Sequence, residues 1–311
     1  MIDTLTIGIR FALYANLMLL FGLPLFGLYA LKGAERLHSN VLPLRALAIW
    51  LSATAIALSL LSIFAMTAAM AGVALLEVDR ASVSMMIAET PMGQAWAVRM
   101  AALFGTLSIA IAMSRLKTPT LLVLVSLGSA TALASLAWTG HGAASEGVAG
   151  TRHLIADIVH LLAAGAWIGA LAALGALLFR PAHSRSNDHI RLTHRALEGF
   201  STIGTVIVAL IVVSGLLNSW ILVGPEHLLS MSSTLYGQLL IAKLALFVVM
   251  LALAAANRFR LTPAFDQAIK NGGTFVSIRQ LRRSLIFEAS AALLILGLVA
   301  WLGTLEPPMS M

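Results

Sequence analysis

The sequence predicts an all-α membrane protein of eight transmembrane helices arranged as two parallel four-helix repeats. Three observations predict it: a composition far from the soluble norm, apolar stretches that recur along the chain, and basic residues confined to alternate connections. Of 311 residues, 59% are hydrophobic and 11% charged, whereas about a quarter of residues are charged in soluble domains. Apolar stretches of roughly 20 residues, each enough to cross a bilayer core as a helix, are predicted at 7–31, 46–72, 95–113, 119–138, 154–178, 201–222, 237–256 and 284–303. The first begins near Ile7 with no clustered basic region or small-residue cleavage site before it, so it reads as a retained span.

The connections 32–45, 114–118, 179–200 and 257–283 hold fifteen Lys and Arg residues, while the alternate connections hold only Arg80 and Arg152. Short basic loops stay in the cytoplasm, so this split places both termini on the outer side. The net charge of +7 is thereby a mark of topology, and no nucleic-acid partner is expected. With no cysteine, the chain carries no disulfide, thiolate metal site or iron–sulfur cluster of its own. Soft-metal chemistry would fall to Met and His.

A repeat is expected from two internal matches. Gly93-Gln94 with Arg99 aligns with Gly237-Gln238 with Lys243, and Ala137-Trp138-Thr139-Gly140 aligns with Ala300-Trp301-Leu302-Gly303. Four spans per unit give units of the same orientation, 1–145 and 146–311, with a pathway or site expected at their interface.

The segment from Trp138 to Leu174 carries the most chemistry. A Gly-rich loop bears His141, and the fifth span then bears His153, Asp157 and His160 at spacings of four and three, which share one helical face. An unpaired carboxylate in lipid costs several kcal/mol, about what any desolvated charge costs, so Asp157 should face the bundle interior and hold a proton, a cation or a basic partner. Two readings stay open. In one, His141, His153, Asp157 and His160 form a metal site, with Asp157 a ligand or an acceptor that fixes an imidazole tautomer. In the other, they pack the spans together, with Asp157 bridged to Arg99 or Lys243. Arg99 and Lys243 either snorkel to the interface or tune Asp157, and Trp167 packs beneath the site.

Methionines are also sided. Met66, Met70, Met85, Met86, Met92, Met100, Met231, Met309 and Met311 fall at the outer ends of spans, in outer loops or in the outer tail. Met66 and Met70 share a face one turn apart, and thioethers are soft ligands suited to Cu(I). The histidines of the basic loops, His38, His183, His189 and His194, read as solvated. Absence of phosphate-loop, H-E-x-x-H and G-x-S-x-G motifs argues against ATP-driven pumping and hydrolysis, and the chain is not expected to be an enzyme.

Several segments together resemble the copper resistance D family, CopD/PcoD. They are Gly140-His141 with the run A-D-I-V-H-L-L-A-A-G-A-W-I-G-A-L, the early F-A-L-Y-A-N-L-M-L-L-F-G-L-P-L-F-G-L-Y, S-T-L-Y-G-Q-L-L-I-A-K-L-A-L-F, A-N-R-F-R-L-T-P-A, and the terminal A-W-L-G-T-L-E-P-P. The resemblance implies an eight-span copper-handling protein of the bacterial inner membrane with periplasmic termini. It also implies a separate periplasmic CopC-like partner and transport of copper from periplasm to cytoplasm in copper resistance and homeostasis. His141, Asp157, His160 and Trp167 fall on family motif positions; Asn16, which the repeat pairs with His160, makes a second symmetric imidazole site unexpected. Two alternatives to transport are a haem-binding or copper-reducing membrane redox protein and a non-transporting docking platform for the periplasmic chaperone.

Overall fold

The computed structural model describes residues 2–36, 41–113, 119–140, 147–181, 186–224 and 231–305. Among these residues the regular structure is entirely helical. Eight helices are long and apolar enough to cross a membrane: α1 (Ile2–Ala30), α2 (Leu44–Ala71), α4 (Pro91–Ala112), α5 (Pro119–Ala134), α6 (Gly147–Leu178), α7 (Asn187–Val223), α8 (Leu235–Ala256) and α10 (Phe275–Leu302). Two short helices, α3 (Arg80–Glu89) and α9 (Thr262–Lys270), occupy stretches that the sequence suggests are loop. Leu210, Val213, Leu216, Val248 and Leu294 are exposed along spanning helices, an arrangement suited to lipid and costly in water.

Every predicted span is present, but several helices run past it. Helix α7 starts at Asn187 instead of 201, and α10 at Phe275 instead of 284. Hydropathy registers where a helix meets hydrocarbon, while helix ends follow capping. The Ser186 hydroxyl accepts the amide of His189 at 3.2 Å and starts α7 outside the apolar stretch. That extension overturns the expectation of solvated histidines. His189 is buried, with Nε2 3.0 Å from the Leu177 carbonyl and Nδ1 3.2 Å from Arg180. His194 lies between Glu198 and Asp266 at 3.6 and 3.7 Å. His38 and His183 lie outside the described residues.

Helices α1 and α6 form the centre, each with 67% of its apolar window buried, against 11% for the segment containing α8. They touch through backbone. A Cβ at Gly22 would come within 2.7 Å of Gly169 Cα and closer still to the Gly165 carbonyl, and one at Gly169 would strike the Gly22 backbone. Lipid offers no hydrophobic drive for helix pairing, so such close approach of small residues supplies the dispersion contact. Around this axis, α1 packs on α2 and α5, and α4 packs on both of those, closing a ring. On the other side α6 packs on α7 and α10, and α10 on α8, while α7 and α8 barely meet.

The two Gly-Gln pairs noted in the sequence occupy the same local structure. Thr90 accepts the Gly93 amide at 2.9 Å and Thr234 the Gly237 amide at 3.1 Å, capping α4 and α8. Each glutamine then reaches back six residues, Gln94 to the Ala88 carbonyl and Gln238 to that of Ser232.

Candidate functional site: a polar face on α6

Helix α6 presents Asp157 and His160 to α7, and α7 answers with side chains one turn apart. Asn218 Nδ2 donates to Asp157 Oδ1 at 2.8 Å, and Ser214 Oγ lies 3.0 Å from His160 Nδ1. The serine hydroxyl has one proton and gives it to the Leu210 carbonyl at 2.5 Å. With that proton committed, the hydroxyl can accept from His160 Nδ1, and the imidazole also hydrogen-bonds the Ile211 backbone. Gly215 makes room for the ring, since a Cβ there would meet His160 Cε1 at 3.3 Å.

Helix α8 contributes charge. Lys243 lies within Coulombic reach of both Asp157 and His160, and Tyr236 within reach of Asp157. Of the two basic candidates for Asp157, the structure thus brings Lys243. Arg99 is 1% exposed in the other half, where its Nε donates to Ser135 Oγ at 2.9 Å and Tyr14 is nearby. Gly140 also reaches the site, because a Cβ there would meet Asp157 Oδ2 at 3.6 Å. His141 follows it in sequence and lies outside the described residues.

His153 shares the α6 face but not these partners; it is buried, and its Nδ1 has no hydrogen-bond partner among the described residues. Among those residues no three His, Asp or Glu side chains stand close enough to hold a metal ion. Met66 and Met70 sit on α2, which packs on α1, α3 and α4. Met66 takes a contact from Ser62 Oγ at 3.7 Å, and Met70 is 71% exposed. The structure does not bring these two thioethers to the α6 face.

Farther along α6, Trp167 is buried edge-on to Phe200, with ring centroids 6.1 Å apart. Its indole N–H donates to Glu288 Oε1 at 3.2 Å, and Asn257 Nδ2 donates to Glu288 Oε2 at 2.8 Å. Glu288 is 1% exposed on α10 and was not singled out from sequence. Its signal was present, since it lies with Asp157 inside the predicted apolar spans, where acids mark function. Asn257 opens a π-helical turn, Asn257–Leu261, that continues α8; such turns occur often at functional sites. A cavity of about 390 Å³ between α6, α7, α8 and α10 reaches this carboxylate, with Arg258 at its edge.

Fold and site together define an all-helical, multi-span protein with an imidazole, a carboxylate and an ammonium group gathered on one side of its second half. The chain belongs to the copper resistance protein D family. It is 48% identical over 310 residues to Copper resistance protein D of Pseudomonas syringae pv. tomato, covering 99% of this chain and 98% of that protein. The family model described as Copper resistance protein D-like, N-terminal domain matches residues 1–151, and that described as Copper resistance protein D matches residues 194–302. Inner membrane protein YebZ of Escherichia coli (strain K12) is 29% identical over 97% of this chain and 98% of its own length. Copper transport protein CutJ of Bacillus subtilis (strain 168) is 36% identical over 40% of this chain and 22% of its own length. No solved structure matches the chain.

Proposed function

We propose that this protein is a multi-pass inner-membrane carrier that moves copper ions from periplasm to cytoplasm, in copper resistance and homeostasis, and is not an enzyme. The observation that carries the reading is the α6 face, where Ser214 and the Ile211 backbone hold the His160 imidazole and Asn218, Lys243 and Gly140 surround Asp157. The family and the names of two relatives, a copper resistance and a copper transport protein, supply the metal.

In this reading both termini are periplasmic and His141, His153, Asp157 and His160 receive copper at the periplasmic end, with His141 joining from the residue after Gly140. Lys243 is the resident countercharge of Asp157. An arriving copper cation replaces it electrostatically, so the carboxylate is never left bare in low dielectric. Met66 and Met70, being on α2, act as an approach relay for Cu(I), not as ligands of the same ion. A separate CopC-like periplasmic protein delivers the metal. The halves 1–145 and 146–311 are parallel repeats, a proposal supported by the matching caps at Thr90 and Thr234. The inside-negative potential favours entry by about 2.3 kcal/mol per charge per 100 mV.

Reconstituted vesicles test it. Copper entry should exceed that of protein-free vesicles, grow with an inside-negative potential and fall at least about tenfold, equivalent to ~1.4 kcal/mol, in His160→Ala. Entry equal to the lipid background would remove the transport reading. Copper stoichiometry and X-ray absorption on His141→Ala, His153→Ala, Asp157→Asn and His160→Ala check the ligands, and unchanged binding in all four would remove the site.

A further inference from the structure

Two acids, Asp157 and Glu288, lie inside the apolar stretches predicted for the second half, and they are provided for differently. Asp157 has the ammonium of Lys243 within reach. Glu288 has two neutral donors, Trp167 and Asn257, and no basic group contacts it among the described residues. A carboxylate that is 1% exposed in an apolar bundle costs several kcal/mol to keep as a bare anion, so it must hold a proton or a cation. Its neighbour offers a further ligand atom. Asn257 Oδ1 is buried with no hydrogen-bond partner among the described residues, and the carboxamide is oriented by the bond from its Nδ2 to Glu288.

The cavity leads from this pair toward the end of the bundle that bears the basic loops, where the Arg258 guanidinium donates to Thr205 across the gap between α7 and the π-turn. Charged and titratable groups on the surrounding elements lie elsewhere. Helix α6 has Arg152, His153, Asp157 and His160, α7 has Asp188, His189, Arg191, His194, Arg195 and Glu198 near its start, α8 has Tyr236 and Lys243, the π-turn has Arg260 besides Arg258, α9 has Asp266 and Lys270, α10 itself has Arg279, Arg282 and Arg283, and α1 has Arg10, Tyr14 and Tyr29. Only Arg258 shares the cavity with Glu288. The ligand atoms on offer are oxygens, which suit a proton and hold a soft cation loosely. Loose binding is what a release point requires.

We propose that Glu288 and Asn257 form an inner cation-exchange site, protonated at rest, that trades its proton for the copper ion coming from the α6 face and then releases the ion to the cytoplasm. The step balances. The carboxylic acid and Cu(I) give a copper-bound carboxylate and a proton that leaves through the cavity, and departure of the ion is matched by a proton taken back from the cytoplasm. No electron moves. The copper part rests on the transport reading above; the resting proton does not.

Infrared difference spectroscopy on the full-length protein in lipid, under anaerobic reducing conditions, separates the two. Wild type should show a protonated-carboxyl band that bleaches as pH is raised and also bleaches on adding Cu(I). The band should be lost in Glu288→Gln and retained, shifted, in Glu288→Asp, which guards against misfolding of the Gln variant. Carboxyl bands identical in wild type and Glu288→Gln would overturn the proposal, as would a Glu288 band that Cu(I) leaves unchanged. Because the proton titration needs no flux, vesicles that fail to import copper would overturn the transport reading while the titration still reports on Glu288.

Discussion

The helices before and after residue 145 pack in opposite ways. In the first half, α1, α2, α4 and α5 close a ring, and the α2–α4 side is drawn shut by Trp96 Nε1 donating to the Ser59 carbonyl at 2.8 Å. In the second, α7 and α8 barely meet, and a cavity of about 390 Å³ lined by α6, α7, α8 and α10 lies there. Charge follows the same division. The sealed half buries Arg99 beside Ser135 and Tyr14, while the open half places Lys243 near Asp157 and leaves Glu288 facing space. A sealed ring resembles a scaffold, and a parted one admits a ligand. The proposed site lies in the half that is less well packed.

The comparison breaks first at the contact that joins the halves. Gly169→Leu places a branched side chain where even a Cβ would strike the Gly22 backbone, so α1 and α6 must separate and the scaffold loses its hold on the working half. The expected loss is about 4 kcal/mol or more, in the range that single overpacking mutations reach only in backbone contacts. It would be read as failure to recover monodisperse protein in detergent. A variant with wild-type thermal stability would show that the halves are held by something other than this crossing.

The charged pair gives the next effect, and it should differ between halves. Lys243→Met removes the cation within Coulombic reach of Asp157 and should cost about 3–5 kcal/mol, the penalty for breaking a desolvated charge pair. Adding Asp157→Asn should restore much of it, which a double-mutant cycle measures. Arg99→Met removes a cation that has no carboxylate partner among the described residues, and should change stability by only about 1 kcal/mol, since one hydrogen bond is lost and a desolvation cost is relieved. Equal losses in thermal unfolding for the two variants would erase the distinction drawn between the halves.

Much of this was readable from residues alone, and the limits have physical causes. Eight spans followed from apolar length, because a bilayer imposes one dimension on every helix. The α6 stripe was legible because spacings of four and three put Asp157 and His160 on one face. Its partners Ser214 and Asn218 were not, since polar side chains on α7 acquire meaning only from the register in which α7 meets α6. Met66 and Met70 stand out as candidate soft ligands by sidedness, but depth in a membrane says nothing of which helix neighbours which. Helix α7 packs on α6 and α2 does not. Glu288 was overlooked for a different reason. It has no ligand-like neighbour in sequence, and Trp167 and Asn257 reach it from 121 and 31 residues away.

The smallest expected effect concerns a latch between the halves at the basic end. Glu35, in the turn after α1, receives Arg195 of α7 at 2.6 and 2.7 Å and the Lys32 amide at 2.9 Å. Partial burial works to raise its pKa, but the hydrogen bonds from Lys32 and Arg195 and their charges outweigh it and hold the carboxyl below its usual 4.5. A depressed carboxylate contributes stability that is complete above the unfolded value and fades as pH falls through the folded one. The pair is about a third exposed, so its contribution is about 0.2–1 kcal/mol. Glu35→Gln should therefore melt slightly below wild type at neutral pH, and the gap should close as the pH falls from the unfolded value of 4.5 through the lowered folded one, where the wild-type carboxylate becomes protonated as well. High salt should narrow the gap at neutral pH by screening the charge. A gap that stays constant from neutral to acid conditions would mean that Glu35 acts through the shape of the turn and not through its charge, and the latch would then be steric.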